Sequence, residues 1–498
     1  MNKKITSLIP SISVLTSSIA LNTTSCSSNF MLEDYTNNPS AAGFDKNKLD
    51  LINKYVNFKL SETISGSSSE AYGFPSMQIC VTKDNKIVYN KAFGKSLLYS
   101  RGDIEINSWP IPHYGELLPT DQQVNATTET LYDLASNTKM YAGMFAIQKL
   151  LYDKKIKSLD DPISKYIPNF TKEQFNVFNS LTKKTQTVQW GTITIRQILT
   201  HTSGFIPDPR VFLTGGTDDV FLLRDKNQAL EKILMLDLQT VPGTKQLYSD
   251  VDFMLVDILV HAITNKWIDE YTENEIYQPL GLRHTVFNPL QKGFSKNDCA
   301  ATELLGNSRE FQVPTFPDMR RTKTIQGEVH DEKAFYCMQG ASGHAGLFST
   351  ALELSVLMNV MLNNGKYGSN TFFNEQIVQD VTTPIVNPEG NRFEFATGWK
   401  TNFSFYNDYI FGDYAPNVTY GHDGWTGTMT VIDPINHLTI CILTNSIHTI
   451  LYDHDSNGNI FFGKHRYFLP KGTTDSANRI GMVISNWVYE ACNSLKDK

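Results

Sequence analysis

A chain of 498 residues with 41% hydrophobic and 11% aromatic side chains has the apolar content of a folded protein and the length for one large or two ordinary domains. Its 44 Lys and Arg against 51 Asp and Glu leave a formal charge of -7, with no dense basic block. That balance argues against nucleic acid as a partner.

The chain opens with Lys3 and Lys4, a modestly apolar Ser/Thr-rich segment from Ile5 to Leu21, then Thr23-Thr24-Ser25-Cys26. A basic start, a short apolar stretch and small residues before a cut site describe an export signal, not a spanning helix. Cys26 stands where a lipoprotein signal is cut and acylated, although Thr23 replaces the usual Leu. Lipidation is the first reading and simple secretion the second. Residues 1–25 are then a signal peptide, 26–43 a polar tether, and 44–498 one domain held by lipid on the outer face of the cell membrane. No later run is apolar and long enough to span a bilayer. Cys80, Cys299, Cys337, Cys441 and Cys492 are widely and irregularly spaced, with no C-x-x-C pair. Buried free thiols are expected, with no disulfide framework, no metal and no cofactor.

Asp45 is placed to cap a first helix that carries Leu49, Ile52 and Val56 on one face. Ser76 to Val81, a turn at Asp84-Asn85 and Lys86 to Tyr89 predict a hairpin. Gly94 to Thr130 is polar with several prolines and reads as a long insertion loop. From Ser136 to about Gly365 helical patterns predominate, including Tyr248 to Thr264 with its dense apolar face. Thr428 to Pro434 and Leu438 to Leu443 predict a second hairpin, and Asp475 to Leu495 a closing helix. Strands at both ends with helices between predict an α/β fold: one antiparallel sheet built from the two chain ends, flanked by helices, with a mainly helical region inserted.

Within that region Ser136-Asn137-Thr138-Lys139 precedes apolar residues at Met140, Met144, Ile147 and Leu151. On a helix, residues three apart share a face. A serine in the first turn with a lysine three residues on brings an amine to a hydroxyl, beside the unpaired N–H groups of a helix start. Nucleophile, base and part of an oxyanion site thus fall in one turn. The plain alternative is that Ser136 only caps the helix and Lys139 is exposed. Ser180-Leu181-Thr182-Lys183 has the same spacing, but Asn179 to Thr187 lacks an apolar face and reads as a solvated loop.

Four further segments follow in order: Ile193 to Phe205 containing His201-Thr202-Ser203-Gly204, Pro242 to Asp250 containing Tyr248-Ser249-Asp250, Gly340 to Thr350 containing His344, and Tyr420 to Thr428 containing His422-Asp423-Gly424-Trp425. Together with the Ser136 segment they resemble the serine hydrolase superfamily of class C β-lactamases, D,D-peptidases and related esterases, from Phe44 to the end. The stretch from Leu131 to Tyr141 and Val329-His330-Asp331-Glu332 resemble the branch of penicillin-binding-protein-like esterases and D-alanyl-D-alanine carboxypeptidases. The resemblance implies a β-lactamase/transpeptidase-like fold, with Ser136 the acylated nucleophile and Lys139, kept neutral, its proton acceptor. It implies that Tyr248 shares the base role, that His422 stands for the lysine of Lys-Thr-Gly, supporting Tyr248 and orienting substrate, and that the backbone N–H groups of Ser136 and Trp425 hold the oxyanion. Gly424 would let the strand approach substrate closely. His201 and His344 belong to family-like segments, but no step requires them.

Two departures bear on substrate. Asp250 stands where Tyr-x-Asn has its amide, replacing a donor by an acceptor. Asp423 stands where Lys-Thr-Gly has a hydroxyl, and a carboxylate there should repel an anionic substrate. The expected function is a membrane-anchored serine hydrolase acting on a neutral ester. A penicillin-binding D,D-carboxypeptidase or β-lactamase acting on a peptide or lactam is the enzymatic alternative, and a non-catalytic surface binding lipoprotein on the same fold the other. The signal region also resembles lipoproteins of wall-less bacteria, which would leave a carboxypeptidase no peptidoglycan to trim. The expected partners are a small-molecule ester or peptide and the membrane reached through the lipid.

Overall fold

The computed structural model describes residues 31–65, 74–100, 113–170, 175–179, 183–189, 192–208, 225–304, 306–307, 321–387, 390, 392–449, 451–454, 460–462 and 480–492. The expected signal peptide, Cys26 and the beginning of the expected closing helix lie outside them.

Eight strands make the central sheet: β1 (Glu33–Asp34), β2 (Ser76–Lys83), β3 (Lys86–Leu97), β4 (Val124–Asn125), β5 (Lys400–Thr401), β6 (Tyr420–Asp423), β7 (Met429–Asp433) and β8 (Leu438–Thr444). The order is β1-β3-β2-β8-β7-β6-β5, with β4 paired to the far end of β3. Only β1 against β3 is parallel among these pairs. β2 from the start of the chain lies beside β8 from near its end, so the sheet is built from both ends as the two hairpin patterns predict. The first hairpin closes through Asp84 and Asn85 with φ of 50° and 60°, the left-handed pair of a two-residue turn that matches strand twist.

Alternation along the strands decides what covers each face. Met77, Ile79 and Val81 of β2 and Ile440 and Ile442 of β8 pack against α1 (Lys46–Ser65) and α5 (Ile480–Ala491). Cys80, Cys441 and Leu443 face the other way, into a core with α2 (Phe145–Tyr152), α3 (Asp250–Thr264) and α4 (Ala351–Leu362). α4 is bonded to the sheet by Ala351 N–H to Gln78 Oε1 at 2.8 Å and Asn359 Nδ2 to Thr82 Oγ1 at 2.9 Å. Asp45 Oδ1 caps α1, accepting from Asn47 N at 3.0 Å. Cys80, Cys299, Cys337, Cys441 and Cys492 are all buried and free, as expected.

The inserted region is less uniformly helical than its sequence suggests. Phe175–Asn179 and Lys184–Val188 pair as a hairpin, correcting the reading of Asn179 to Thr187 as a loop, although Ser180 to Thr182 lie outside the described residues. Both faces of Lys184 to Thr187 are exposed, so no hydrophobic alternation marks the strand. β3 continues to Leu97, and short strands occur at His113–Tyr114, Glu116–Leu117 and Val124–Asn125, so Gly94 to Thr130 is not one loop. Among the described residues no helix is long and apolar enough to cross a membrane.

Candidate active site

The Ser136 turn leaves the short strand Tyr132–Asp133 and passes through Ala135 at φ 46°, a left-handed conformation costly for a residue with a Cβ. A 3-10 turn (Ala135–Asn137) and a π turn (Lys139–Met144) precede α2, where the sequence predicts a plain helix. Buried polar groups hold this shape. Asp133 Oδ1 accepts from Ala135 N at 2.9 Å and its Oδ2 from His330 N at 2.7 Å. Asn137 Nδ2 donates to Thr428 Oγ1 at 3.0 Å, and its Oδ1 accepts from Thr430 Oγ1 at 3.1 Å. Thr426 and Thr428 donate to the carbonyls of Asp133 and Leu134 at 2.7 and 3.0 Å. Sequence reasoning missed Asp133 and Asn137, whose signal is a polar residue on either side of Ser136 in an otherwise apolar run.

Lys139 Nζ reaches Ser136 Oγ at 3.2 Å, the contact the three-residue spacing predicts. It also meets Asp250 Oδ1 at 2.8 Å and the His344 carbonyl at 3.3 Å, and its side chain is wholly buried. Burial alone would lower its pKa, but the Asp250 carboxylate and the Tyr248 phenol reverse this and hold the amine above its ordinary value. Lys139 is therefore an ammonium in the resting protein, not the neutral amine expected. Asp250 is not a free acceptor facing substrate either. Its second oxygen lies 3.3 Å from Lys333, and although burial would raise it, Lys139, Lys333 and His344 bring the carboxyl below the usual range.

Tyr248 places its ring 4.7 Å from Lys139 Nζ and stacks on Phe395 at 5.4 Å between centroids. Burial raises its pKa, while Lys139 and the Ser136 hydroxyl pull it down and Asp250 pushes it up. Its backbone is set by Gln246, whose Oε1 accepts from Glu394 N at 3.0 Å, and by Ser249 N, which donates to His201 Nδ1 at 3.2 Å. His201 packs on the Tyr248 ring at 4.7 Å, so it supports a candidate catalytic side chain without touching Ser136. His201 Nδ1 also lies 3.0 Å from Asp252 Oδ2, a carboxyl that burial raises well above its usual range.

On the opposite side, β6 brings His422 and Asp423. His422 donates from Nδ1 to the Asp423 carbonyl at 2.6 Å, and its buried Nε2 has no partner among the described residues. Burial lowers its pKa to about 3, so the ring is neutral. It lies 6.1 Å from the Tyr248 ring, beside it rather than hydrogen-bonded to it. Asp423 is not free to repel an anion: Lys400 Nζ sits 2.8 Å from its Oδ1 and 3.2 Å from Glu394. Against the opposing effect of burial, Lys400 holds the Asp423 carboxyl below its usual range. Gly424 meets the Ser136 turn rather than open space, since a Cβ there would stand 2.4 Å from the Leu134 carbonyl and from Thr428 Oγ1. Trp425, 48% exposed, begins the next turn. Among the described residues the backbone N–H groups of Ser136 and Trp425 have no intramolecular acceptor, as an oxyanion site requires.

Comparison with known proteins bears on the family. The family described as "Beta-lactamase" matches residues 60–462. A protein of Escherichia coli named "Putative D-alanyl-D-alanine carboxypeptidase" is 42% identical over 423 residues, covering 85% of this chain and 88% of its own. The chain belongs to the β-lactamase family. A Salmonella typhimurium protein of the same name is 41% identical over 426 residues, 86% of this chain and 89% of its own. Among solved structures, a family VIII carboxylesterase is similar with TM-score 0.55 and 14% identity, over 88% of this chain and 97% of its own. The octameric penicillin-binding protein homologue from Pyrococcus abyssi gives TM-score 0.52 and 17% identity, over 80% of this chain and 73% of its own. At such identities the likeness is one of fold. As a β-lactamase-family chain the protein is a serine hydrolase.

A metal has little room in this β-lactamase-family site. Donor atoms of Asp250, Asp331 and His344 lie within 4.8 Å of one another. Lys333 Nζ stands 3.3 Å from Asp250 and 3.2 Å from Asp331, so an ammonium already balances the carboxylates that would bind one.

Proposed function

We propose that the protein hydrolyses a neutral ester through an acyl-enzyme on Ser136, and that Cys26 anchors it by lipid to the outer face of the membrane. The contact of Ser136 Oγ with Lys139 Nζ at 3.2 Å, beneath Tyr248 and beside two unpaired backbone amides, carries the catalytic reading. Oγ attacks the carbonyl, and the Tyr248–Lys139 pair takes its proton and passes one to the leaving oxygen. Water then repeats the steps to release the acid. Lys139 and Tyr248 both hold protons at neutral pH, so the reactive form has lost one proton from the pair as a unit. Preference for a neutral substrate is supported by the uncharged His422 and by the commitment of Lys139 and Lys400 to carboxylates, which leaves neither free for a substrate anion.

The second reading, a D-alanyl-D-alanine carboxypeptidase, is favoured by the names of the relatives at 41–42% identity. A serine-directed phosphonate and a fluorescent penicillin, applied to wild type and Ser136→Ala and read by intact mass, separate the two. Phosphonate labelling that the substitution abolishes, without penicillin labelling, is expected. Penicillin labelling would favour the carboxypeptidase, and labelling by neither would leave a binding protein. Incorporation of an alkyne fatty acid, lost in Cys26→Ser, tests the anchor.

A further inference from the structure

Lys333 lies one residue beyond the Val329 to Glu332 segment and takes no part in the reaction as described. Its side chain is wholly buried, and Nζ lies 3.1 Å from Asp208 Oδ1, 3.3 Å from Asp250 Oδ2, 3.2 Å from Asp331 Oδ2 and 3.3 Å from Glu332 Oε1. Asp250 is the shared member, its other oxygen 2.8 Å from Lys139. Asp331 continues the chain of contacts to His344 Nε2 at 2.9 Å, and the His344 carbonyl returns to Lys139 Nζ at 3.3 Å. The ring Lys139, Asp250, Lys333, Asp331, His344 thus closes behind the nucleophile. It is anchored on both sides: Asp331 Oδ1 caps the short helix Glu332–Tyr336 by accepting from Ala334 N at 2.8 Å, and a Cβ on Gly343 would stand 2.2 Å from the Phe253 carbonyl of α3.

We propose that Lys333 is a positioning residue for the reaction at Ser136, dividing the Asp250 carboxylate with Lys139 and thereby setting how tightly Lys139 keeps its proton. The proposal rests on the serine hydrolase reading above. A carboxylate held by one ammonium spends its whole field on that ammonium, whereas one held by two divides it. Without Lys333, Asp250 would act on Lys139 alone, and Asp208, Asp331 and Glu332 would add uncompensated negative charge nearby. Both changes raise the affinity of Lys139 and of the Tyr248 phenol for a proton. Facing Lys139 are Asp250 and Tyr248, the Ser136 hydroxyl, the His344 carbonyl and, further off, His201 and His422. On the Asp250 side the His344 imidazole, 2.9 Å from Asp331, also acts on the Asp250 carboxylate, so Lys333 is the lysine that divides its field and His344 adds to the same effect.

A purely structural lysine would, when replaced, reduce the amount of active protein equally at every pH. A residue that sets the proton affinity of Lys139 shifts the pH profile instead. The test measures kcat/KM for a neutral p-nitrophenyl ester from pH 5 to 10 on the full chain, with phosphonate labelling of Ser136 as the active-site count. For Lys333→Met the acid limb should move up by about one pH unit, a roughly tenfold loss of kcat/KM per labelled Ser136 wherever the limb is rising, whereas a structural lysine would lower the count of labelled Ser136 and leave kcat/KM per labelled site unchanged. Lys333→Arg, which keeps the charge, should restore the wild-type limb. Asp208→Asn removes one carboxylate from a side chain that is 37% exposed, and should move the limb the other way, down by about half a unit. An unmoved limb in labelled Lys333→Met overturns the proposal. Should that variant fail to fold, an unmoved limb in Asp208→Asn overturns it equally. Failure of the phosphonate to label wild type would overturn the hydrolase reading itself and this proposal with it.

Discussion

Asp423 and Asp250 each replace a neutral group of the family motif, and each owes its effect to a lysine distant in sequence. Lys400 holds Asp423 at 2.8 Å, so Asp423 withholds a cation from the substrate instead of presenting a charge to it. Asp423→Thr should leave Lys400 with Glu394 and Tyr409 and make it available to a substrate carboxylate. The ratio of kcat/KM for a succinate monoester over a neutral ester is then expected to rise by about tenfold. An unchanged ratio would refute the role given to Lys400. For Asp250→Asn the amide keeps the shape but removes the charge that most raises the Lys139 pKa. The acid limb of the rate profile should therefore shift to lower pH. Lys139 and Lys333 would both lose a buried partner, at a cost of about 3–5 kcal/mol that urea unfolding can measure.

The Ser136 turn works as an element because it is clamped between strands. Ala135 at φ 46° persists only because Asp133, Asn137 and the threonines of the turn into β7 bind every side of it. Gly424 is the place where this clamp closes, since a Cβ there would fall 2.4 Å from the Leu134 carbonyl. Gly424→Ala should push β6 away from the turn, lowering kcat by about a hundredfold with little change in KM, as expected for displaced oxyanion donors. A normal kcat in this variant would show that the approach is not needed. The spacing of Ser136 and Lys139 and the apolar run behind them made this element legible. Its clamp was not, because Asn137 and Thr428 are 291 positions apart and local periodicity says nothing about such partners. Lys333 and Lys400 were missed for the same reason. The hairpin Phe175–Asn179 and Lys184–Val188 was missed for a different one, because Lys184 to Thr187 are exposed on both faces and carry no alternation.

At the scale of the molecule, the joining of the chain ends was readable from two strand-turn-strand patterns, because strands buried on both faces carry dense apolar runs. The polar latches across that join were not. Asn445 accepts from Ser76 N at 3.0 Å, and three residues further His448 Nε2 accepts from the N–H groups of Leu98 and Tyr99 at 3.1 and 3.2 Å. His448 is fully buried, and burial lowers its pKa to about 3. An unfolded histidine binds a proton near pH 6.5. Between these values the unfolded chain holds a proton that the folded one refuses, so stability falls with decreasing pH by about 1.4 kcal/mol per unit for this group. Above pH 6.5 both states are neutral there and the penalty vanishes. His448→Gln can still offer an oxygen to Leu98 and Tyr99 but cannot be protonated. Its urea midpoint, compared with wild type at pH 7, 5.5 and 4.5, should therefore fall less steeply on acidification, while His422, with its own pKa of about 3, keeps a similar slope in both proteins. A wild-type to variant difference that stays constant across the three pH values would mean that the latch accommodates a charged histidine, and that acid unfolding begins elsewhere.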